Sequence, residues 1–183
     1  MVTGWKEAPG PASDTGRPVT MRFCRLTTST QTHNIGVQMS ESTAGPASWN
    51  DGVIAQFRAG DQRIADMFDR SSLLLLHTTG AKSGQPRTSP LAYFTFDGQL
   101  VITASAAGRD NNPDWYFNLL AHPKVTVERW HDDAIESIEV IATPAEGDER
   151  DRLWARITSV ASGFADYQTK TSRVIPVITL QRS

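Results

Sequence analysis

Leu73-Leu74-Leu75-Leu76-His77-Thr78-Thr79-Gly80-Ala81-Lys82-Ser83-Gly84-Gln85-Pro86-Arg87 is the stretch on which the fold turns. Leu73 to Thr78 reads as a buried strand, and Gly80 to Gly84 as a tight connection. Downstream, Leu91 to Phe96 and Leu100 to Ser105 flank Asp97-Gly98, a strong short-range hairpin signal. Asn112 ahead of Pro113 predicts a cap with proline at the first helical position, opening a short helix through Trp115, Leu119 and Leu120 that His122-Pro123 stops. Val125 to Trp130 and Ile135 to Ala142 read as two further strands around His131-Asp132-Asp133. Thr143 to Glu146 has capping-box spacing and predicts a charged helix with Leu153, Trp154, Ile157 and Val160 on its buried side. Val174 to Leu180 is expected to form the last strand. About five or six mostly antiparallel strands with three or four helices imply an α+β domain on a small closed sheet.

Upstream, residues 1–47 are rich in Gly, Pro, Ser and Thr and show no sustained period. They predict a disordered extension ahead of one domain over 48–183, or residues preceding a start at Met39. Ser48 or Asn50 is the expected cap of a helix whose stripe is Trp49, Val53, Ile54 and Phe57. Gly60-Asp61 would end it before a second apolar group, Ile64, Met67 and Phe68. That stripe can pack on the domain, or serve as a lid or membrane-contacting surface.

The chain has 183 residues, 39% of them hydrophobic and 21% charged, with a formal net charge of −2. That balance is globular and gives no overall reason to expect nucleic acid as a partner. The single cysteine, Cys24, excludes an internal disulfide. No aliphatic run exceeds Leu73 to Leu76, and Arg22 and Arg25 interrupt Val19 to Leu26, so neither a membrane span nor a secretory signal is expected and the chain reads as cytoplasmic. The histidines His33, His77, His122 and His131 are scattered, with no zinc spacing, and no metal site is expected. There is no G-x-S-x-G elbow, no Walker A lysine and no G-x-G-x-x-G turn. The chain is therefore expected to lack a self-sufficient catalytic set.

Two segments carry anion-binding equipment. In Thr78 to Arg87, small residues allow close backbone approach, and Lys82 and Arg87 add charge. In Ser105 to Tyr116, a strand end leads through Ala106, Ala107 and Gly108 to a helix N-terminus. Each has a plain alternative: a solvated basic hairpin loop, and a connection in which Asn112 merely caps. Leaving one end of a small sheet together, they would cradle a phosphorylated cofactor.

Leu73 to Pro90, Ala104-Ser105 through Asn112-Pro113-Asp114-Trp115-Tyr116-Phe117-Asn118, and Ala165 to Gln168 through Arg173 to Val177 resemble, in order and spacing, the deazaflavin-dependent nitroreductase and quinone-reductase family. The resemblance implies a split β-barrel that binds coenzyme F-420, an 8-hydroxy-5-deazaflavin, and passes a hydride to a small organic acceptor. By position it assigns the cofactor to Lys82, Ser83, Arg87, Ser89, Pro90, Ser105, Ala106, Ala107, Gly108, Asn112, Trp115 and Tyr116. Tyr167, Ser105 and Tyr93 fall at pocket-facing positions and are the implied catalytic residues. Ala106 stands where several relatives have lysine, and Ala161 and Phe164 where nitro-activating members have tyrosine. A quinone-like acceptor is thus implied rather than a nitro compound. Two other classes remain open: a flavin mononucleotide enzyme of the pyridoxamine-oxidase type, and a non-catalytic carrier of a tricyclic cofactor or lipid. The resemblance leaves room for pairing of copies through an exposed sheet face, and for peripheral contact of the helix near Trp49 with the inner face of the plasma membrane.

Overall fold

The structure, a computed structural model, describes residues 48–66 and 68–183. The expectations for residues 1–47 and for Met67 lie outside the described residues. In chain order the elements are α1 (Trp49–Ala59), β1 (Arg63–Ile64), β2 (Phe68–Asp69), β3 (Leu73–Thr79), β4 (Pro86–Phe96), β5 (Gln99–Thr103), α2 (Asp114–Ala121), β6 (Lys124–His131), β7 (Ala134–Pro144), α3 (Gly147–Val160), α4 (Gly163–Thr169) and β8 (Val177–Arg182). Among the described residues β1 and β2 pair only with each other, while the other six strands close an antiparallel barrel in the order β3-β4-β5-β8-β7-β6.

The leucine run explains why the barrel forms here. Successive side chains on a strand point to opposite faces. Leu74 and Leu76 enter the barrel interior with Ile102, Val127, Val140 and Ile178. Leu73 and Leu75 point outward, yet they are also buried, packed with Val53, Phe57 and Ile64 under α1. A strand without a polar face must be covered on both sides, and α1 supplies the outer cover. Ser48 caps α1 with a reciprocal box: its hydroxyl accepts from the Asp51 N–H at 3.2 Å, and Asp51 accepts from the Ser48 N–H at 2.9 Å. The helix ends at Gly60 in a left-handed conformation. Trp130 of β6 fixes it from outside, donating from Nε1 to the Phe57 carbonyl at 2.9 Å. The expected α1 stripe is thus taken up by the barrel apart from Trp49, which is 59% exposed.

A second outer layer covers the opposite side. Val101 and Val177 pack with Leu153 and Ile157 of α3, joined by Phe94, Trp154 and Phe164. Trp115 and Leu119 of α2 belong to the barrel core itself.

Several boundaries differ from the sequence expectation for identifiable reasons. β4 begins at Pro86 rather than Leu91, because Pro86 to Pro90 continue the ladder opposite Thr79 to Leu75. β5 stops at Thr103. Pro113, not Asn112, is the N-cap of α2, with no side-chain cap bond, and the Asn112 side-chain oxygen Oδ1 accepts from Arg173 instead. Thr143 to Glu146 is not a capping box: Thr143 and Pro144 stay in β7 opposite Thr179 and Ile178, and α3 starts at Gly147. Val160, expected on the buried side of α3, is 67% exposed, and Val174 precedes β8 and is 68% exposed.

Because β3 is buried on both faces, Leu75→Ala and Leu76→Ala should each lower unfolding free energy by about 2–5 kcal/mol. Denaturant titration checks this, and a cost at Leu76 alone would contradict the two-sided burial.

Candidate functional site

Antiparallel order decides which loops meet. β3 ends and β4 begins at one mouth of the barrel, where β5 also ends and β8 starts. The Gly80 to Gln85 loop and the Ala104 to Pro113 segment therefore leave the same end, with α2 and the chain after α4 beside them. Both segments read as anion-binding leave the barrel at this end, and α2, which follows the second, bonds the first through Asn118.

The first loop is closed by its own backbone: Gly80 N–H donates to Gln85 O and Gly84 N–H to Gly80 O, both at 2.8 Å. It is held from below by Asn118 of α2. Asn118 accepts from the Ala81 N–H at 2.9 Å and donates to Thr78 Oγ1 at 3.1 Å. Asn118 is buried, so both halves of its amide are matched inside the protein. Lys82 and Ser83 are exposed on the loop. Arg87 and Ser89 lie opposite Thr78 and Leu76, on the same face of β4 as Leu91 and Tyr93, which pack on the barrel core. Pro90, opposite Leu75, is on the other face.

The second segment contains a short 3-10 turn, Ala106–Gly108, directly after Ser105. Ala106, Ala107 and Gly108 have φ of 47°, 54° and 82°, three successive left-handed residues. Gly108 has no substitute there: a Cβ would stand 2.8 Å from the Tyr167 carbonyl oxygen and 2.9 Å from Lys170 Cβ. This close approach seats α4 on the turn. Tyr167 on α4 is partly buried, its ring edge-on to Phe164 at 5.6 Å, and Phe164 is edge-on to Phe94 at 5.4 Å. Lys170 extends over the Tyr167 ring, its ammonium 5.4 Å from the centroid. Trp115 is buried in the barrel core, and Tyr116 packs at its margin.

Charge is distributed unevenly between the two mouths. At the far mouth, Arg129 and Arg182 both bind Glu136, and Arg156 binds Asp97. These arginines hold both carboxyl groups below the usual carboxylate range through direct hydrogen bonds. Among the described residues Lys82, Arg87, Arg109 and Lys170, all at the near mouth, stand in no ion pair. His77, on the outer face, accepts or donates at Nδ1 with Thr88 at 3.1 Å. Its Nε2 is 3.1 Å from Glu128 but out of line for a hydrogen bond.

A family model described as F420H(2)-dependent quinone reductase matches residues 51–182. The chain belongs to this family. An F420H(2)-dependent quinone reductase of Mycobacterium tuberculosis is 40% identical over 112 residues, covering 60% of this chain and 72% of the relative. A second protein of that organism, a putative F420H(2)-dependent quinone reductase, is 38% identical over 108 residues, 59% of this chain and 87% of the relative. A solved F420-H2 dependent reductase (FDR-A) is 37% identical with a TM-score of 0.52, covering 60% of this chain and 94% of that one. Another solved structure, described as a domain-swapped dimer, is 35% identical with a TM-score of 0.54, covering 70% of this chain and 95% of that one. The family matches the one the motifs resemble, and the antiparallel barrel with flanking helices is the expected fold.

Three residues at this mouth have no assigned part in the sequence reading: Asn118, Lys170 and Arg173. For Asn118 a signal existed, since a polar residue between Trp115 and Leu119 falls on the buried face of α2. Arg173 lies in a run that carries the family resemblance, but neither its role nor that of Lys170 follows from a local pattern, because each acts on a turn some sixty residues earlier.

Gly108→Ala should destabilise the protein by more than about 1–3 kcal/mol, the range expected from left-handed backbone strain alone, because the added methyl also meets the Tyr167 carbonyl. Thermal and denaturant unfolding check this, and a variant as stable as the parent would show that α4 does not sit on the turn.

Proposed function

We propose that the near mouth binds reduced coenzyme F-420 and that the chain uses it to reduce a quinone or quinone-like acceptor. One observation carries the placement. The family relation calls for an anionic coenzyme, and the two glycine-bearing loops leave the same end of the barrel, with Lys82, Arg87 and Arg109 in no ion pair among the described residues. The residues present fit such a group. Cations without carboxylate partners keep their full attraction for phosphate, and Arg87 can bind it in bidentate fashion.

The coenzyme supplies hydride chemistry when bound. The chain supplies binding, orientation and exclusion of water. Lys82, Ser83 and Arg87 hold the phosphate and acidic tail, with Ser89 and Pro90 continuing that wall. Ser105 to Gly108 and Asn112 present backbone and small side chains to the coenzyme, and Trp115 and Tyr116 support them from α2. Tyr93 and Ser105 position the acceptor. Tyr167, wedged between Phe164 and Lys170, orients the acceptor and delivers a proton from its hydroxyl. Among the described residues no helix is long and apolar enough to cross a membrane. Peripheral contact through α1 would have to use Trp49, the exposed member of its stripe. Pairing of copies would use the outer face of β7, where Ile135 and Ile141 are exposed.

The test is a fluorescence titration of the protein into oxidised coenzyme F-420, with flavin mononucleotide in parallel. Saturable binding of the deazaflavin alone is expected, and preference for flavin mononucleotide would overturn the proposal. A charge-assisted hydrogen bond is worth roughly 1.5–3 kcal/mol. Lys82→Ala and Arg87→Ala should therefore weaken coenzyme binding about ten- to a hundredfold. Tyr167→Phe should lower turnover with reduced coenzyme and quinone while binding changes little. If both basic variants bind like the parent, the phosphate lies elsewhere.

A further inference from the structure

The turn after β5 is conformationally expensive. L-residues visit the left-handed region as single residues, and alanine has no side chain to compensate there. Ala106, Ala107 and Gly108 occupy it in succession, with φ of 47°, 54° and 82°. Within the turn, only the Gly108 N–H to Ser105 O bond at 2.9 Å and the Arg109 N–H to Ala106 O bond at 3.1 Å oppose relaxation. The surrounding structure must therefore over-determine the conformation.

One side chain does so. Arg173, between α4 and β8, donates from Nη2 to Ala104 O at 3.0 Å and to Ser105 O at 2.8 Å. Its Nε donates to Arg109 O at 2.8 Å, and Nη1 to Asn112 Oδ1 at 2.6 Å. The planar guanidinium thus grips both flanks of the left-handed run without touching its three residues. Arg173 is itself fixed. Gln168 Nε2 donates to its carbonyl at 2.7 Å and Gln168 Oε1 accepts from the Ile175 N–H at 3.0 Å. The hydroxyl of Thr171 donates to Asp110 Oδ1 at 3.1 Å, tying the same two segments a second time. All four bonds of Arg173 go to neutral oxygens, and no carboxylate pairs with it among the described residues. Burial lowers its pKa, the charge of Asp110 working the other way.

We infer that Arg173 is a positioning residue for coenzyme binding: it presets the Ala106–Gly108 turn in its left-handed form, so that the second binding segment is ordered before the ligand arrives. This rests on the proposed placement of the coenzyme against Ser105 to Asn112. Preorganisation of this kind raises affinity by removing an ordering cost, without a contact to the ligand. Lysine keeps the charge but cannot span four oxygens with a planar fork. In Arg173→Lys the turn relaxes, and the coenzyme must restore the strained form as it binds. Glycine reaches the left-handed region without steric cost, so glycines at 106 and 107 should blunt the loss.

The experiment combines amide hydrogen exchange of the ligand-free protein with coenzyme F-420 titration. The proteins are the parent, Arg173→Lys, and Ala106→Gly/Ala107→Gly with and without Arg173→Lys. Exchange in residues 104–113 should rise roughly tenfold or more in Arg173→Lys, with barrel strands unchanged, since local opening reports the lost restraint. Coenzyme Kd should weaken about tenfold in the alanine background and less than about threefold in the glycine background. Unchanged exchange in 104–113 overturns the inference whatever the coenzyme does. Faster exchange with parental Kd, or an equal loss of affinity in both backgrounds, overturns it while leaving the coenzyme site standing. A parent that does not bind coenzyme F-420 overturns the placement of the coenzyme, and the positioning role with it.

Discussion

Everything at the near mouth depends on β3 being buried from both sides. Leu74 and Leu76 fill the barrel, Leu73 and Leu75 lie under α1, and the strand's two edges bond to β4 and β6. That arrangement removes every soft direction in which β3 could tilt. The apolar run then stops at His77, and within three residues the chain changes from a fixed strand to an exposed loop carrying Lys82. A loop gains accuracy from such a root, because its ends are as rigid as the core beneath them.

What could be read from the sequence was what neighbours along the chain decide. Ser48 caps α1 because Asp51 is three residues away, and Asp97-Gly98 turns the hairpin because its own backbone favours that turn. The leucine run announced a buried strand. By contrast, Thr143 to Glu146 had the spacing of a cap but was overruled by pairing with β8, which no local pattern records. Asn112 beside Pro113 looked like a cap for the same local reason, and a distant arginine claimed its side chain instead. The near mouth was legible as two glycine-bearing segments with basic residues. Its support by Arg173 was not, since Arg173 meets Ala104, Ser105 and Arg109 only after β8 has returned to the barrel.

The two loops are held by different means suited to their chemistry. The first needs one neutral amide, Asn118, because its backbone already closes on itself between Gly80 and Gln85. The second cannot close on itself in relaxed geometry and requires a multidentate donor from outside. Both supports come from elements that follow the loops in sequence, α2 and the segment before β8. The mouth is therefore completed late in the chain, although its two loops come early.

β4 serves two neighbours in turn, β3 along Pro86 to Ala92 and β5 along Tyr93 to Phe96. Past the end of β5, one edge of its first half has no strand beside it among the described residues. An open edge is a template on which foreign strands can add, the first step toward aggregation. Pro86 and Pro90 lie on this stretch, four residues apart, so their missing N–H groups fall on the same edge, and the edge without a ladder is the one that can spare them. With prolines at both positions, that edge offers an incoming peptide backbone few donors. The fold is thereby guarded against self-association along this strand.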